Sequence, residues 1–514
     1  MSPSSPYDKA KAKGTSPGPK SPGNSGKPSP WDTAVPKKSP KEHREARPEP
    51  ETPPYWGEQR PLNPARDLAL KLLFEAAKPM APGLDHYLDQ AADRGVSQAD
   101  LRLARHLAFG VLQKKAALLE LLNGYLREPI VDKPGVELSL LLGLEQFLFT
   151  ERLPAHAIVD ETVRLVEAQR GGDKLKRLAN AVLRKASTEV EALKERFEEL
   201  PWEARTNATE MLRELTRAAY PDPREEEAFW LSCNERAPLC LRLRGVTRAE
   251  ALERLQQECP QLPWGELEDH DQHPELLDSL VMPAHFGAVT ASAFFQSGGA
   301  TVEDLGAQIA ATLGAPPDSA RRILDLCASP GGKTSHWADL RPQARFTATD
   351  VTASKLKRLR ETLNRLGVLS RVDVMLAEEM LAAAAPQSYD AILVDAPCSG
   401  LGTLRRHPEI RLRRNRENIL HMQEMQLRLL LQVAPLLRVG GSLTFIVCTI
   451  TKEETEDVCT VFAERHPEFV PVEPIAVGLN PEPYRLEESH TFRIDPHVHR
   501  HDGFFVARWE KRGE

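Results

Sequence analysis

Cys327, Cys398 and Cys448 each stand where an apolar run gives way to small or polar residues, a placement that suits chemistry. The first opens Cys327-Ala328-Ser329-Pro330-Gly331-Gly332-Lys333-Thr334, the second follows Asp395-Ala396-Pro397, and the third closes the run Leu443 to Val447. A glycine turn after a strand lets a ligand approach the backbone and the N-terminus of the next helix. Eighteen residues beyond Gly332 stands Asp350, an acid able to hydrogen-bond ribose hydroxyls. A P-loop would need glycine where Cys327 stands, and a dinucleotide site would need a GxGxxG run that is absent. An S-adenosylmethionine site needs only the glycine turn and the acid, so that cofactor is expected.

A lone free cysteine is often just a small buried hydrophobe. Cys398 and Cys448 together, beside Asp395 and a cofactor turn, fit that reading poorly. They fit the methylation of carbon 5 of cytosine. That carbon is a poor nucleophile until a thiolate adds at carbon 6 and turns the ring into an enamine. An acid near ring nitrogen 3 stabilises the charge that develops, and a base must later remove the proton from carbon 5. A thiol of pKa ~8.5 is mostly protonated at neutrality, and lowering it towards ~7 would ionise about half. Arg405 and Arg406 are sequence neighbours expected to help. Which thiol attacks is not decided by these residues alone.

The elements that must position these groups read as alternating strands and helices from about residue 286. Strand candidates are Arg322–Ala328, Arg345–Asp350, Val372–Leu376, Ala391–Ala396 and Leu443–Cys448. Between the second and third, Leu356, Leu359, Leu363 and Leu366 make a helical apolar face. The pattern predicts a parallel sheet covered on both faces, with ligands beyond the carboxyl ends of its strands. Upstream the period is helical throughout. Asn63 is a candidate N-cap with Pro64 at the first helical position. Ala65, Leu68, Ala69, Leu72, Leu73 and Ala76 share one face, and Leu175, Leu178, Ala179, Val182, Leu183 and Ala186 another. Further helices are expected around 101–126, 136–149 and 156–169. Residues 191–285 read as a linker and small α/β subdomain, with a strand then a helix in "APLCLRLRGVTRAEALERLQQE". Residues 1–60, rich in Pro, Ser, Gly and Lys, are expected to be a disordered tail. The expected division is thus 1–60, 61–190, 191–285 and 286–514.

Seven cysteines, none in a CxxC pair, predict neither a disulfide framework nor a metal site. They suit a reducing cytoplasm. No run approaches the ~20 apolar residues of a membrane span. A net charge of −7 argues against indiscriminate nucleic-acid binding, so the placement of positive charge matters.

The segments "DLALKLLFEAA", "LLLGLEQFLF", "LPAHAIVDETVRLVE" and "LANAVLRK" resemble NusB-like helical domains, with His156, Asn180 and Arg184 at characteristic positions. His156 and Asn180 are read as structural, polar groups between apolar helices. Cys327–Lys333, Asp350, Asp395–Gly400 and Cys448 resemble the motifs of the RsmB (Sun/Fmu) family of NusB-fused RNA (cytosine-5-)-methyltransferases. "RRHPEIRLRR" and "HDGFFVARW" extend the likeness to nearly the whole chain from Asn63. The resemblance implies a helical NusB-like RNA-binding domain followed by a Rossmann-like catalytic domain. It implies that Cys327 to Lys333 form the cofactor loop, Asp350 binds the ribose, Glu378 lies by the adenine, and Asp395 lies between cofactor and base. It makes Cys448 the nucleophile and Cys398 the aid to release. Where the family has Ser-Thr-Cys-Ser this chain has Ile446-Val447-Cys448-Thr449, and it has Glu303 and Thr455 where the family usually has Gln and Asn.

Arg405, Arg406, Arg411, Arg413, Arg414 and Arg416 crowd one segment past the fourth strand and are expected to contact RNA phosphates. A solvated charged face is the alternative. The expected partner is RNA, ribosomal (16S) by resemblance, in an unfolded or single-stranded region. A monomer without a membrane partner is expected. Competing functions are a non-catalytic NusB-like RNA-binding or assembly factor and a methyltransferase acting on another nucleic acid.

Overall fold

In the computed structural model, residues 62–79, 81–130, 132–150, 153–267, 276, 278–475, 478–486 and 490–513 are described. The expected disordered tail, residues 1–60, lies outside them. Helices come first: α1 (Pro64–Ala76), α2 (Leu84–Asp93), α3 (Gln98–Asn123), α4 (Pro134–Phe149), α5 (Ala155–Ala168), α6 (Gly172–Thr188) and α7 (Val190–Glu199). Asn63 caps α1 as its sequence suggests, its Oδ1 accepting from Arg66 N at 3.2 Å. α4, apolar nearly all round, runs through the helical core and is buried on every side. α5 and α6 form a tight hairpin in which glycine is obligatory. Gly171 has φ 75°, and a Cβ on Gly172 would fall 1.5 Å from the Val166 carbonyl oxygen.

The helical faces depart from expectation at three places. Leu178, assigned to the buried face of α6, is 38% exposed. His156 is exposed and Asn180 only half-buried, so neither sits between apolar helices as a satisfied core group. α2 was not legible because its N-terminus has no local cap. Its first amide, Leu84 N, is instead bonded by Glu409 Oε1 at 3.3 Å, more than three hundred residues away.

A three-stranded antiparallel sheet follows, β1 (Leu239–Leu243), β2 (Ser279–Met282) and β3 (Ala300–Val302), in order β2-β1-β3. The helix Arg248–Glu258 between the first two starts with a capping box of Thr247 and Glu250. The larger sheet contains β4 (Arg322–Asp325), β5 (Arg345–Asp350), β6 (Val372–Leu376), β7 (Tyr389–Asp395), β8 (Leu437–Val447), β9 (Phe469–Pro471), β10 (Thr491–Ile494) and β11 (Phe504–Lys511). Its order is β10-β11-β8-β7-β4-β5-β6, with β9 also on β11. β4 to β8 are parallel, while β11 is antiparallel to β8 and β10. The expected all-parallel sheet is therefore mixed, a Rossmann-like core extended by returning strands. The strand order reverses at β4, flanked by β5 and β7, which is where such sheets open a crevice.

Candidate active site

The carboxyl ends of β4, β5, β7 and β8 deliver Asp325, Asp350, Asp395 and, one residue on, Cys448 to one edge. The loop after β4 hugs that edge. Gly331 has φ 109°, and a Cβ there would press to 2.9 Å from Leu359 Cδ1. Asp350 is buried and fastens this loop, its Oδ2 accepting from Ser329 N at 3.2 Å and its Oδ1 from Val351 N at 2.7 Å. Lys355 Nζ is the third donor to this carboxylate, meeting Oδ1 at 3.0 Å. A carboxylate accepts about four hydrogen bonds, so capacity remains on Oδ2 for a hydroxyl. Glu378 is exposed in the first turn after β6, the strand beside β5.

Two residues carry more than their motif positions suggested. Asp325, 1% exposed, accepts from Thr334 Oγ1 at 2.6 Å on Oδ2, while Oδ1 has no hydrogen-bond partner among the described residues. Burial, the nearby Asp395 and Asp350 push its carboxyl up to about 7 against the pull of Thr334 and Lys333. Its position at the end of an apolar strand, two residues before Cys327, was the available signal. Lys333 leaves the cofactor loop and donates to Asp395 Oδ2 at 2.8 Å. Its ammonium also lies 5.0 Å from the centre of the Phe504 ring, which β11 supplies. An orphaned buried acid, two further acids and a glycine cradle fit a cationic nucleoside cofactor.

The sulfurs of Cys398 and Cys448 are 3.3 Å apart. The hydrogen bond with Cys398 holds the Cys448 thiol below its ordinary value, against burial and Asp395, with help from Lys333 and His407. The same bond, with burial, pushes Cys398 well above the usual thiol range. The groups that favour the Cys448 thiolate are therefore Lys333 and His407, not the expected arginines. Arg405 and Arg406 are turned onto Asp502, their Nε atoms 3.2 and 2.7 Å from its two oxygens.

Arg411, Arg413 and Arg414 are likewise turned onto protein acceptors, which overturns their expected role on phosphates. Arg411 is buried and donates to Asn234 Oδ1 at 2.8 Å. Arg413 binds the carbonyls of Glu75, Ala76, Ala81 and Pro82 at 2.9–3.2 Å, closing the C-terminus of α1. Arg414 Nε holds the Ser399 carbonyl at 2.7 Å. Arg416 alone of the six stays largely exposed, 3.4 Å from Glu453. The sequence shows the charges but not the carbonyls waiting for them.

Ile446 and Val447, the departures beside Cys448, are fully buried in β8. Thr449 keeps a hydroxyl next to the thiol, 2.7 Å from Ser399 Oγ.

The model of the 16S rRNA methyltransferase RsmB/F family matches residues 311–510, and that of the NusB family matches 63–188. The ribosomal RNA small subunit methyltransferase B of Klebsiella pneumoniae is 33% identical over 425 residues, 81% of this chain and 91% of that protein. The chain belongs to the RsmB/F family. The probable ribosomal RNA small subunit methyltransferase B of Bacillus subtilis is 28% identical over 87% of this chain and 99% of its own length. Among solved structures, PH0851 has TM-score 0.64 at 22% identity, over 88% of this chain and 100% of its own. NSun6 from Pyrococcus horikoshii, solved with SFG, has TM-score 0.50 at 18% identity over 60% of this chain and 99% of its own; these two support the fold. As a member of the RsmB/F family the chain is an S-adenosylmethionine-dependent methyltransferase of small-subunit ribosomal RNA.

Proposed function

We propose that this enzyme forms 5-methylcytosine in 16S ribosomal RNA through a covalent adduct on Cys448. The observation that carries the reading is the 3.3 Å approach of the two thiols beside the Lys333–Asp395 pair. In this reading Cys398 is the donor of that bond and Cys448 the thiolate that adds at carbon 6. The Lys333–Asp395 pair faces ring nitrogen 3, and the Lys333 ammonium steadies the negative charge that grows there as the thiolate adds. Cys327 to Lys333, Asp350, Glu378 and Asp395 would hold S-adenosylmethionine, which would supply the methyl group for carbon 5. A base then takes the carbon 5 proton, its bonding pair restores the ring double bond, and the carbon–sulfur pair returns to Cys448. The Cys398 thiol stabilises that leaving thiolate by the bond it makes before attack. The target base must be out of its stack to reach this edge. In the same proposal residues 61–190 bind RNA, 191–285 connect, and 286–514 carry catalysis.

The test is a denaturing gel with labelled ribosomal RNA fragment and cofactor. Cys448→Ala should lose methylation and adduct together. Cys398→Ala should methylate and then stall, leaving RNA attached to protein. An adduct that accumulates in the Cys448 variant would reverse the roles, and full activity in both would end covalent catalysis by these thiols.

A further inference from the structure

Glu454 lies behind the two thiols, in the turn after β8, and is completely buried. Its Oε1 accepts from Ser399 N at 2.8 Å and from Gln426 Nε2 at 3.0 Å. Its Oε2 accepts from Thr451 Oγ1 at 2.9 Å and from Thr449 Oγ1 at 3.3 Å. Ser399 and Thr449 are the residues that follow Cys398 and Cys448, and their hydroxyls meet at 2.7 Å. Gln426 also donates to the carbonyl of Pro397, which precedes Cys398, at 3.0 Å. Ser399, Gln426, Thr449, Thr451 and Glu454 are all 0% exposed. None of these partners is a cation. A carboxylate without a counter-ion is costly inside a protein, and a structure that only needed to join two segments has cheaper means.

We propose that Glu454 divides the labour between the cysteines: its buried carboxylate holds the two segments face to face and keeps the proton on Cys398, leaving Cys448 as the thiolate. The inference rests on the covalent reading above and explains which thiol attacks.

The electrostatics run in that direction. An anion beside a thiol favours the protonated form. The charge of Glu454 is among the causes that raise Cys398, after its bond to Cys448 and burial, while Lys333 and His407 act on Cys448. Asp395 opposes ionisation of Cys448, so the balance depends on which sulfur each acid faces. Burial raises the carboxyl of Glu454 itself, and the donors from Ser399, Thr451 and Gln426 oppose that rise. All four bonds suit the ionised carboxylate, which only accepts.

The experiment is alkylation of the full-length protein by iodoacetamide across pH 6 to 9 (roughly one unit either side of a perturbed thiol), each cysteine read separately by peptide mass spectrometry. In the wild type Cys448 should react faster than Cys398. Glu454→Gln keeps an acceptor for Ser399 N but loses the charge. It should lower the Cys448-to-Cys398 rate ratio by about tenfold, the effect of one pKa unit. kcat should fall with it while the KM for RNA stays, and Glu454→Asp should restore part of the ratio. Binding of S-adenosylhomocysteine reports that each variant is folded. An unchanged ratio in a folded Glu454→Gln protein overturns the proposal, as does equal loss in the Gln and Asp variants. Failure of both variants to fold overturns it in favour of a purely structural role, as does Cys398 reacting first in the wild type. The alkylation needs no RNA, so persistence of methylation in Cys448→Ala would remove the covalent reading while the thiol ratio still reports on Glu454.

Discussion

Asp325 sits with one oxygen on Thr334 and the other bare, and its charge state has a consequence for stability. The carboxyl is raised to about 7 in the folded chain, against ~3.9 when unfolded. Between those values the folded state holds a proton that the unfolded chain has released. The stability tied to it is complete below about pH 4 and is lost as pH rises through about 7. Asp325→Asn, which cannot ionise, should therefore flatten the dependence of the melting midpoint on pH between about 4 and 7, as scanning calorimetry would show. A slope equal to that of the wild type would mean Asp325 is ionised in the fold. Such residues mark the limit of reading chemistry from sequence. The glycine turn, Asp350, Asp395 and both thiols were legible because chain position alone puts them at strand ends. Lys333 was legible as part of a loop, but its reach to Asp395 depends on a side-chain direction. Glu454 gave no signal, since its partners come from three separate stretches of chain.

At the scale of elements, strands β5 and β6 have the bounds their sequence suggested, while β4 stops at Asp325, three residues short of the expected Ala328. The arginine segment failed as a reading for a different reason. Its guanidinium groups serve backbone carbonyls and acids that only the assembled fold brings near. Phosphate contacts must then come from cations that the fold leaves free. α6 offers them: Lys174, Arg177 and Arg184 are exposed along one stripe and make no ion pair among the described residues. The exposed His156 and Arg184 belong to the same helical hairpin, which suits a surface better than a core. Replacing Lys174, Arg177 and Arg184 together with Ala should flatten the slope of log affinity against log salt by about 2, at ~0.7 per contact on single-stranded RNA. Cofactor binding should not change. Filter binding over a salt series measures it, and Lys71, Arg94 and Arg102, exposed elsewhere on the helical part, make the matched control. Equal flattening in both triple variants would reduce the stripe to bulk charge.

For the molecule as a whole, the segment from Arg405 to Arg413 acts as the fastening between helices and sheet. All described residues fall within one compact unit. Glu409 bonds the N-terminus of α2, where the helix dipole favours an anion, and Arg413 takes the carbonyls at the C-terminus of α1, where it favours a cation. The two contacts bracket the α1–α2 link with opposite charges in the places each helix end prefers. Asn207 Nδ2 adds a bond to the Leu112 carbonyl at 2.9 Å, and Asn234 is shared between Arg411 and the Gln113 carbonyl. Arg413→Ala removes a guanidinium from four carbonyls at once. Hydrogen bonds to a charged group contribute about 1.5–3 kcal/mol, and water can replace some of these, so a loss of about 2 kcal/mol is expected. The loss should not spread evenly, because the helical core and the sheet each keep their own packing. Calorimetry of the variant should show two unfolding transitions where the wild type is expected to show one, the first belonging to the helices, and limited proteolysis should cut first between α1 and α2. Methylation of a short substrate should keep its kcat. A larger RNA that spans both parts should show a raised KM, since its two contact surfaces are no longer held in register. A single transition at the wild-type midpoint would show that the fastening lies elsewhere, in the contacts of Asn207 and Asn234.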